Sequence, residues 1–233
     1  MTDKSAIRDA ATVILIRDKT SNPQVLMGQR GSKAAFMPNK FVFPGGAVDL
    51  ADADIPLASP INPTCTQTLA LDLRAESQPH LEHALCVAAI RELFEETGQI
   101  LGHRQDWTPP IQDWESFADT GYMPDASPLS FVFRAITPPG RPRRFDARFF
   151  LANADYLVTD PDDFSNASDE LSHLRWIPLG EVRKFDLPFI TEVVLAEVTA
   201  NLQNDGPVTS VPFYKNDDEA NLFLRLNGHA PID

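Results

Sequence analysis

Twenty prolines, unevenly spread over 233 residues, limit where this chain can be helical. A proline inside a helix removes a backbone donor and clashes with the preceding turn, at a cost of about 3 kcal/mol. Pro56, Pro60, Pro63 and Pro79 therefore forbid a long helix between residues 49 and 80. That stretch reads as an inserted loop with at most short helices, and a loop of such length tends to be functional or mobile. A second irregular region holds Trp107, Pro109, Pro110, Trp114 and Pro124. Between the two lies a helical run, 82–97, with Gly98 as its natural stop. Two later segments, 189–202 and 217–226, are also predicted to be helical.

The apolar runs between these breaks are short. Thr12-Val13-Ile14-Leu15-Ile16 and Gln24-Val25-Leu26-Met27-Gly28 predict two strands across a polar turn at Asn22-Pro23. Phe41-Val42-Phe43 is a third, stopped by Pro44-Gly45-Gly46. Segments 129–136 and 145–151, joined by Thr137-Pro138-Pro139-Gly140, and then Leu174-Arg175-Trp176-Ile177 complete the set. Strands at both ends of one central helix predict an α/β sandwich with a mixed sheet. No clear linker interrupts it, so the chain reads as one domain over 1–233, with the insertion at about 49–80.

Composition excludes several functions. Thirty-three Asp and Glu against 20 Lys and Arg give a formal charge of −13, which repels nucleic acid over most of the surface. No apolar stretch approaches the roughly 20 residues needed to span a bilayer. Met1-Thr2-Asp3-Lys4-Ser5 lacks the basic patch and apolar run of a secretory signal. Cys65 and Cys86 have no metal-type spacing and read as two thiols in a reducing compartment. The expectation is a cytoplasmic protein without nucleic-acid or membrane partners.

The helix at 82–97 carries the chemistry. At about 100° per residue, Glu96 falls about +40° and Glu95 about −60° from Glu92, so three carboxylates share one face. Cys86, Ile90, Leu93 and Phe94 fall opposite and supply core contact, while Leu85 breaks the pattern and needs the insertion to cover it. Three adjacent like charges repel, with only Arg91 nearby to pair with Glu95 or orient a neighbour. A divalent cation would turn that repulsion into coordination; a solvated charged face is the alternative. Gly45 and Gly46, after a strand, allow the backbone to approach a ligand closely, or form an ordinary turn.

Taken together, Phe43-Pro44-Gly45-Gly46 and Arg91-Glu92-Leu93-Phe94-Glu95-Glu96-Thr97-Gly98 resemble the two halves of the Nudix box, G-x5-E-x7-R-E-U-x-E-E-x-G-U, with U a bulky aliphatic. The second half matches every fixed position but the last, where Gln99 stands and Ile100 follows. The usual spacing would place a glycine at Ser77 and a glutamate at His83, with Glu82 one residue off. The box is thus split by an insertion of roughly 30 residues. With Arg144-Phe145-Asp146-Ala147-Arg148-Phe149-Phe150 downstream, it is most similar to the subgroup containing the animal peroxisomal coenzyme A diphosphatase. The ending Ala230-Pro231-Ile232-Asp233 is not of the peroxisomal Ser-Lys-Leu type.

The resemblance implies a Mg2+-dependent hydrolase, with Mn2+ as a substitute, that cleaves a diphosphate linkage in a nucleoside diphosphate derivative. It nominates coenzyme A or an acyl-coenzyme A, with ADP-ribose or NADH as alternatives, and a homodimer is frequent in the family. It implies Glu92, Glu95, Glu96 and the Gly45 carbonyl as metal ligands, with Arg91 holding a glutamate in place. Glu170, six residues before Trp176, sits where relatives carry an extra catalytic glutamate; a solvated loop residue is the alternative. Gly46, Arg144 and Arg148 are the candidates for contacting substrate, surface salt bridges being the alternative for the two arginines. Trp107, Trp114, Phe117 and Tyr122 either stack on a base or form local core. A nucleotide-binding or regulatory module without turnover is the competing reading, and an isomerase would want a reactive cysteine that neither Cys65 nor Cys86 suits.

Overall fold

The computed structural model describes residues 6–202, 210–216 and 221–226. In chain order it places β1 (Ile7–Arg17), β2 (Gln24–Arg30), β3 (Phe41–Val42), β4 (Gly45–Ala47), a 3-10 turn at Leu50–Asp54, α1 (Pro63–Leu69) and α2 (Leu81–Thr97). There follow β5 (Gly102–Arg104), α3 (Glu115–Ala118), β6 (Tyr122–Pro124), β7 (Ser130–Ile136), β8 (Arg144–Asn153), β9 (Leu171–Pro178), α4 (Phe189–Leu202), β10 (Pro212–Asn216) and β11 (Asn221–Arg225).

The main sheet runs β11-β10-β7-β8-β1-β2-β3, with β4 added on β1 and β9 on β2. It is mixed, as predicted: β1 lies parallel to β8 from Ile7↔Arg144 to Ile16↔Asn153, whereas β7 and β8 are antiparallel. β1 is central and covered on both faces, which explains its continuous apolar run. Ala11, Val13 and Leu15 join the core beneath α2; Ile14 and Ile16 join the opposite core, which holds Val194, Leu195 and Val198 of α4. Among the described residues no helix is long and apolar enough to cross a membrane.

The stretch 217–226, read as helical, carries instead β11, antiparallel to β10; residues 217–220 lie outside the described residues. Short apolar segments do not distinguish helix from strand by periodicity, and tertiary contact decides here. Phe223 meets Phe133 and Tyr214, with ring centroids 6.2 and 6.3 Å apart.

The insertion is an ordered cover rather than a loose loop. Ile55, Ile61 and Leu69 are buried in the same core as Leu85, the residue that broke the helix pattern. Burying an aliphatic side chain contributes about 1.5–3 kcal/mol, so these three fasten the insert to α2. A second fastening is ionic. Arg74 donates to Asp9 at 2.8 Å and to Asp146 at 3.0 Å. Arg134 grips both Asp146 oxygens at 2.8 and 2.9 Å, and Arg148 donates to Asp9 at 2.5 Å. Asp146 is fully buried, yet its carboxyl lies below the usual range: burial opposes its charge, but the Arg134 hydrogen bonds and the charges of Arg148, Arg134 and Arg74 outweigh burial.

Candidate active site

The proline- and glycine-free sequence of α2 lets it run unbroken to Gly98, whose left-handed backbone (φ 74°) closes the helix with an N–H to the Phe94 carbonyl at 2.8 Å. The carboxylate face then meets β4. Glu96 is 2% exposed; its Oε2 accepts from the Gly45 amide at 2.8 Å, and its Oε1 is buried without a partner. Glu92 Oε1 accepts from Arg91 Nη1 at 2.8 Å, and Glu95, half-exposed, lies 3.6 Å from the same nitrogen.

Arg91 is held from the insertion. Its Nε and Nη2 each donate to Asp52 at 3.0 Å, and Nη2 also donates to the Ala47 carbonyl at 3.0 Å. Asp52, in the Leu50–Asp54 turn, is itself buried. The glutamate-orienting arginine expected from the sequence is therefore locked by a carboxylate that no motif pointed to. Asp49 stands 3.6 Å from Arg91 on the outer side.

Both glycines of β4 are required by close approach. A Cβ on Gly45 would lie 2.5 Å from the Ala11 carbonyl oxygen, and one on Gly46 would lie 2.4 Å from the Glu92 carboxylate. Gly46 was expected to make room for substrate; the space beside it is filled by Glu92.

Burial dominates the electrostatics of the glutamates. It pushes Glu96 up to about 8 against the lowering Gly45 hydrogen bond, and Glu92 up to about 7 against the lowering charge of Arg91. Burial also raises Glu95. The negative charge of Glu170, on the exposed turn just before β9, reaches all three. Arg30, at the end of β2 opposite Leu171, supplies positive charge to Glu96. The Nε of Arg30 is buried without a hydrogen-bond partner.

Arg144 and Arg148, expected to contact substrate, are committed elsewhere. Arg148 is 1% exposed and bound to Asp9 and Asp146; Arg144 donates to the Thr137 and Asn216 carbonyls. Their sequence signal was genuine charge in an acidic chain, but the charge is spent on burial. The aromatic candidates form local core: Trp114 and Phe117 are buried, and Trp107 donates to the Tyr122 carbonyl at 2.8 Å.

No protein-family model matches the chain. It is similar to nudix hydrolase 7 of Caenorhabditis elegans, 31% identical over 186 residues that cover 74% of this chain and 52% of that protein. A solved NUDIX hydrolase from Alicyclobacillus acidocaldarius superposes with a TM-score of 0.63 at 27% identity, covering 84% of this chain and 92% of that one. The chain thus has the Nudix hydrolase fold and resembles members of that family in sequence. The acyl-coenzyme A diphosphatase NUDT19 of Gallus gallus is a further relative, 26% identical over 230 residues, 72% of this chain and 60% of that protein. The chain thus spans between half and two thirds of the length of these curated relatives.

Within the Nudix frame the one departure in the second half of the box has a structural explanation. Gln99, in place of an aliphatic, is fully buried; its amide donates to the Asp160 and Asp163 carbonyls at 3.0 and 2.8 Å, and its Oε1 accepts from Thr159 at 2.6 Å. Ile100 enters the core instead. Gln99 therefore ties down the segment leading to Glu170, and Ser168 N–H donates to the Glu95 carbonyl at 2.9 Å to finish the job.

The donor set suits a hard divalent cation: it is all oxygen, and the Glu96 Oε1 is buried and unpartnered. As they stand, Glu92 is turned to Arg91 and Glu96 to Gly45, so among the described residues no three such side chains enclose an ion.

Proposed function

We propose that this chain hydrolyses the diphosphate linkage of a nucleoside diphosphate derivative, using Mg2+ or Mn2+ held by Glu92, Glu95 and Glu96. The observation that carries the reading is the unpartnered, buried Glu96 oxygen in a cluster of four glutamates. Carboxylates held this closely repel one another, and a divalent cation would relieve that repulsion. When bound, such a cation neutralises charge on the diphosphate and acidifies a coordinated water. Gly45 positions Glu96 through its amide, which leaves its carbonyl as a further candidate ligand. Arg91, locked by Asp52, holds Glu92 on the cluster. Glu170 takes a proton from the attacking water at its exposed carboxylate, a general-base contribution of about 10²–10⁴ in rate. Arg30, rather than Arg144 or Arg148, offers its guanidinium to the phosphate oxygens.

The relative named as an acyl-coenzyme A diphosphatase supports coenzyme A or an acyl-coenzyme A as substrate, ahead of ADP-ribose and NADH. The two thiols without a disulfide agree with a cytoplasmic location.

The test is a cleavage screen of the purified protein with Mg2+ or Mn2+ against coenzyme A, acetyl-coenzyme A, ADP-ribose, NADH and nucleoside triphosphates, with products identified by mass. Two phosphorylated halves from one compound, lost in Glu96→Gln, support the reading. Binding without cleavage of any compound would instead make the chain a regulatory module.

A further inference from the structure

The insertion that splits the Nudix box also lines a cleft beside it. About 180 Å3 of open space lies between the first residues of β1 and both ends of the insert. Val48 and Leu50, with Ile7 of β1, form an apolar wall, and Leu50 is 82% exposed. Arg74, Glu76 and Gln78, from the far end of the insert, form the polar side.

The cleft is contiguous with the carboxylate site. Asp49 joins the two: one oxygen is 3.6 Å from Arg91, beside Glu92, and the other is 3.6 Å from Arg8, which lines the cleft. Along the strand, Val48 is two residues past Gly46, about 7 Å, and Gly46 lies against the Glu92 carboxylate. A molecule whose diphosphate rests on the glutamates can therefore extend one end into this space.

The lining selects among possible guests. Arg8 and Arg74 are balanced by Asp9 and Glu76, so the lining of the cleft is neutral overall. Five of its eight lining residues are charged or polar, which disfavours an acyl chain. The volume is below the roughly 300–1,000 Å3 of pockets that enclose a whole drug-sized ligand, so only part of a substrate fits. Just beneath its polar side the Gln78 amide nitrogen is shielded from solvent with no partner, as is the neighbouring Ser77 hydroxyl. Terminal amide torsions are broad, so this donor can turn to a guest. A flat, neutral body bearing acceptors fits such a wall-and-donor arrangement. A flexible amide chain would lose more rotational freedom in so shallow a space.

We infer that the insert builds a specificity subsite that receives the nucleoside end of the diphosphate substrate, with Val48 and Leu50 against its flat face and Gln78 donating to its base. The inference rests on the proposed hydrolase reading, but its binding test does not need turnover.

Adenosine and pantetheine are the two probes, observed by ligand-detected NMR with wild-type protein, Gln78→Leu and Leu50→Ser. Leu50 is so exposed that its replacement leaves the fold intact. Adenosine should bind wild type, and each variant should weaken it about tenfold, the loss of one hydrogen bond or contact, with melting temperatures unchanged. In the active enzyme the same variants should raise KM about tenfold and leave kcat unaltered. Binding of pantetheine in preference to adenosine, equal adenosine binding by all three proteins, or no binding of either probe would overturn the subsite. Absence of cleavage by wild type in the screen would sink the hydrolase reading alone, leaving adenosine binding to decide the subsite.

Discussion

Two clusters of charged side chains sit on the α2 side of the sheet, and both are tied to the insertion, yet they have opposite characters. In the Asp9–Arg74–Arg134–Asp146–Arg148 network each carboxylate oxygen has a guanidinium partner, only Arg148 Nη2 is left over, and arginines hold the Asp146 carboxyl below its usual range. In the Glu92–Glu95–Glu96–Glu170 cluster one arginine is shared, one buried oxygen is left over, and burial pushes the carboxyls up. Removing one member of a paired buried cluster leaves its partners uncompensated. Removing one member of an under-paired cluster relieves repulsion. The first pattern suits maintenance of the fold, and the second suits the cation proposed above.

The largest expected effect separates these roles. Glu96→Gln, and likewise Glu95→Gln, should lower turnover by about 10³-fold or more while leaving melting unchanged or slightly raised. Steady-state kinetics beside a thermal melt checks it, and normal turnover in both variants would break the contrast. Asp146→Ala should do the reverse, costing about 3–5 kcal/mol of stability through stranded arginines. A denaturant titration measures this, and a loss under 1 kcal/mol would mean the network is incidental.

Gly46→Ala sharpens the boundary between fold and site. Its Cβ would meet the Glu92 carboxylate at 2.4 Å, so Glu92 must move. Displacement of a catalytic group by about 1 Å costs about 10²-fold, which kinetics should show with little change in melting.

The smallest effects are in pH dependence, and their signs differ. Asp146, with its folded pKa depressed, stabilises the protein above its unfolded value of about 3.9. That contribution is lost as pH falls through the folded value. Replacing Arg74 by Ala weakens the depression and should move the acid-unfolding midpoint upward. Glu96, raised to about 8, acts oppositely in protein stripped of divalent ions: stability falls as pH rises from the unfolded value of about 4.3. Melting of stripped wild type should therefore decline more than that of Glu96→Gln between those limits.

The same contrast explains what was legible in the sequence. The helix 82–97 could be placed because no proline or glycine interrupts it, and its three glutamates because helical spacing is fixed; the structure gives Leu81–Thr97. The helix 189–202 matches Phe189–Leu202 for the same reason. Arg144 and Arg148 were misjudged because sequence shows a charge but not its partner, and Asp9 lies 139 residues from Arg148. Asp52 escaped notice because it sits in proline-punctuated sequence with no periodicity, 39 residues before the Arg91 it locks. Gln99 looked like an imperfection in the box until its three partners from residues 159–163 were in view.

The most direct measurement is a thermal melt of stripped wild type, Glu96→Gln and Leu50→Ser across a Mg2+ titration. A ligand that binds only the folded state raises stability as its concentration passes Kd. Saturable stabilisation of wild type and Leu50→Ser, absent or shifted at least tenfold in Glu96→Gln, is the predicted result. Equal stabilisation of all three proteins would show that Mg2+ is held elsewhere, and the glutamate cluster would lose its assigned purpose.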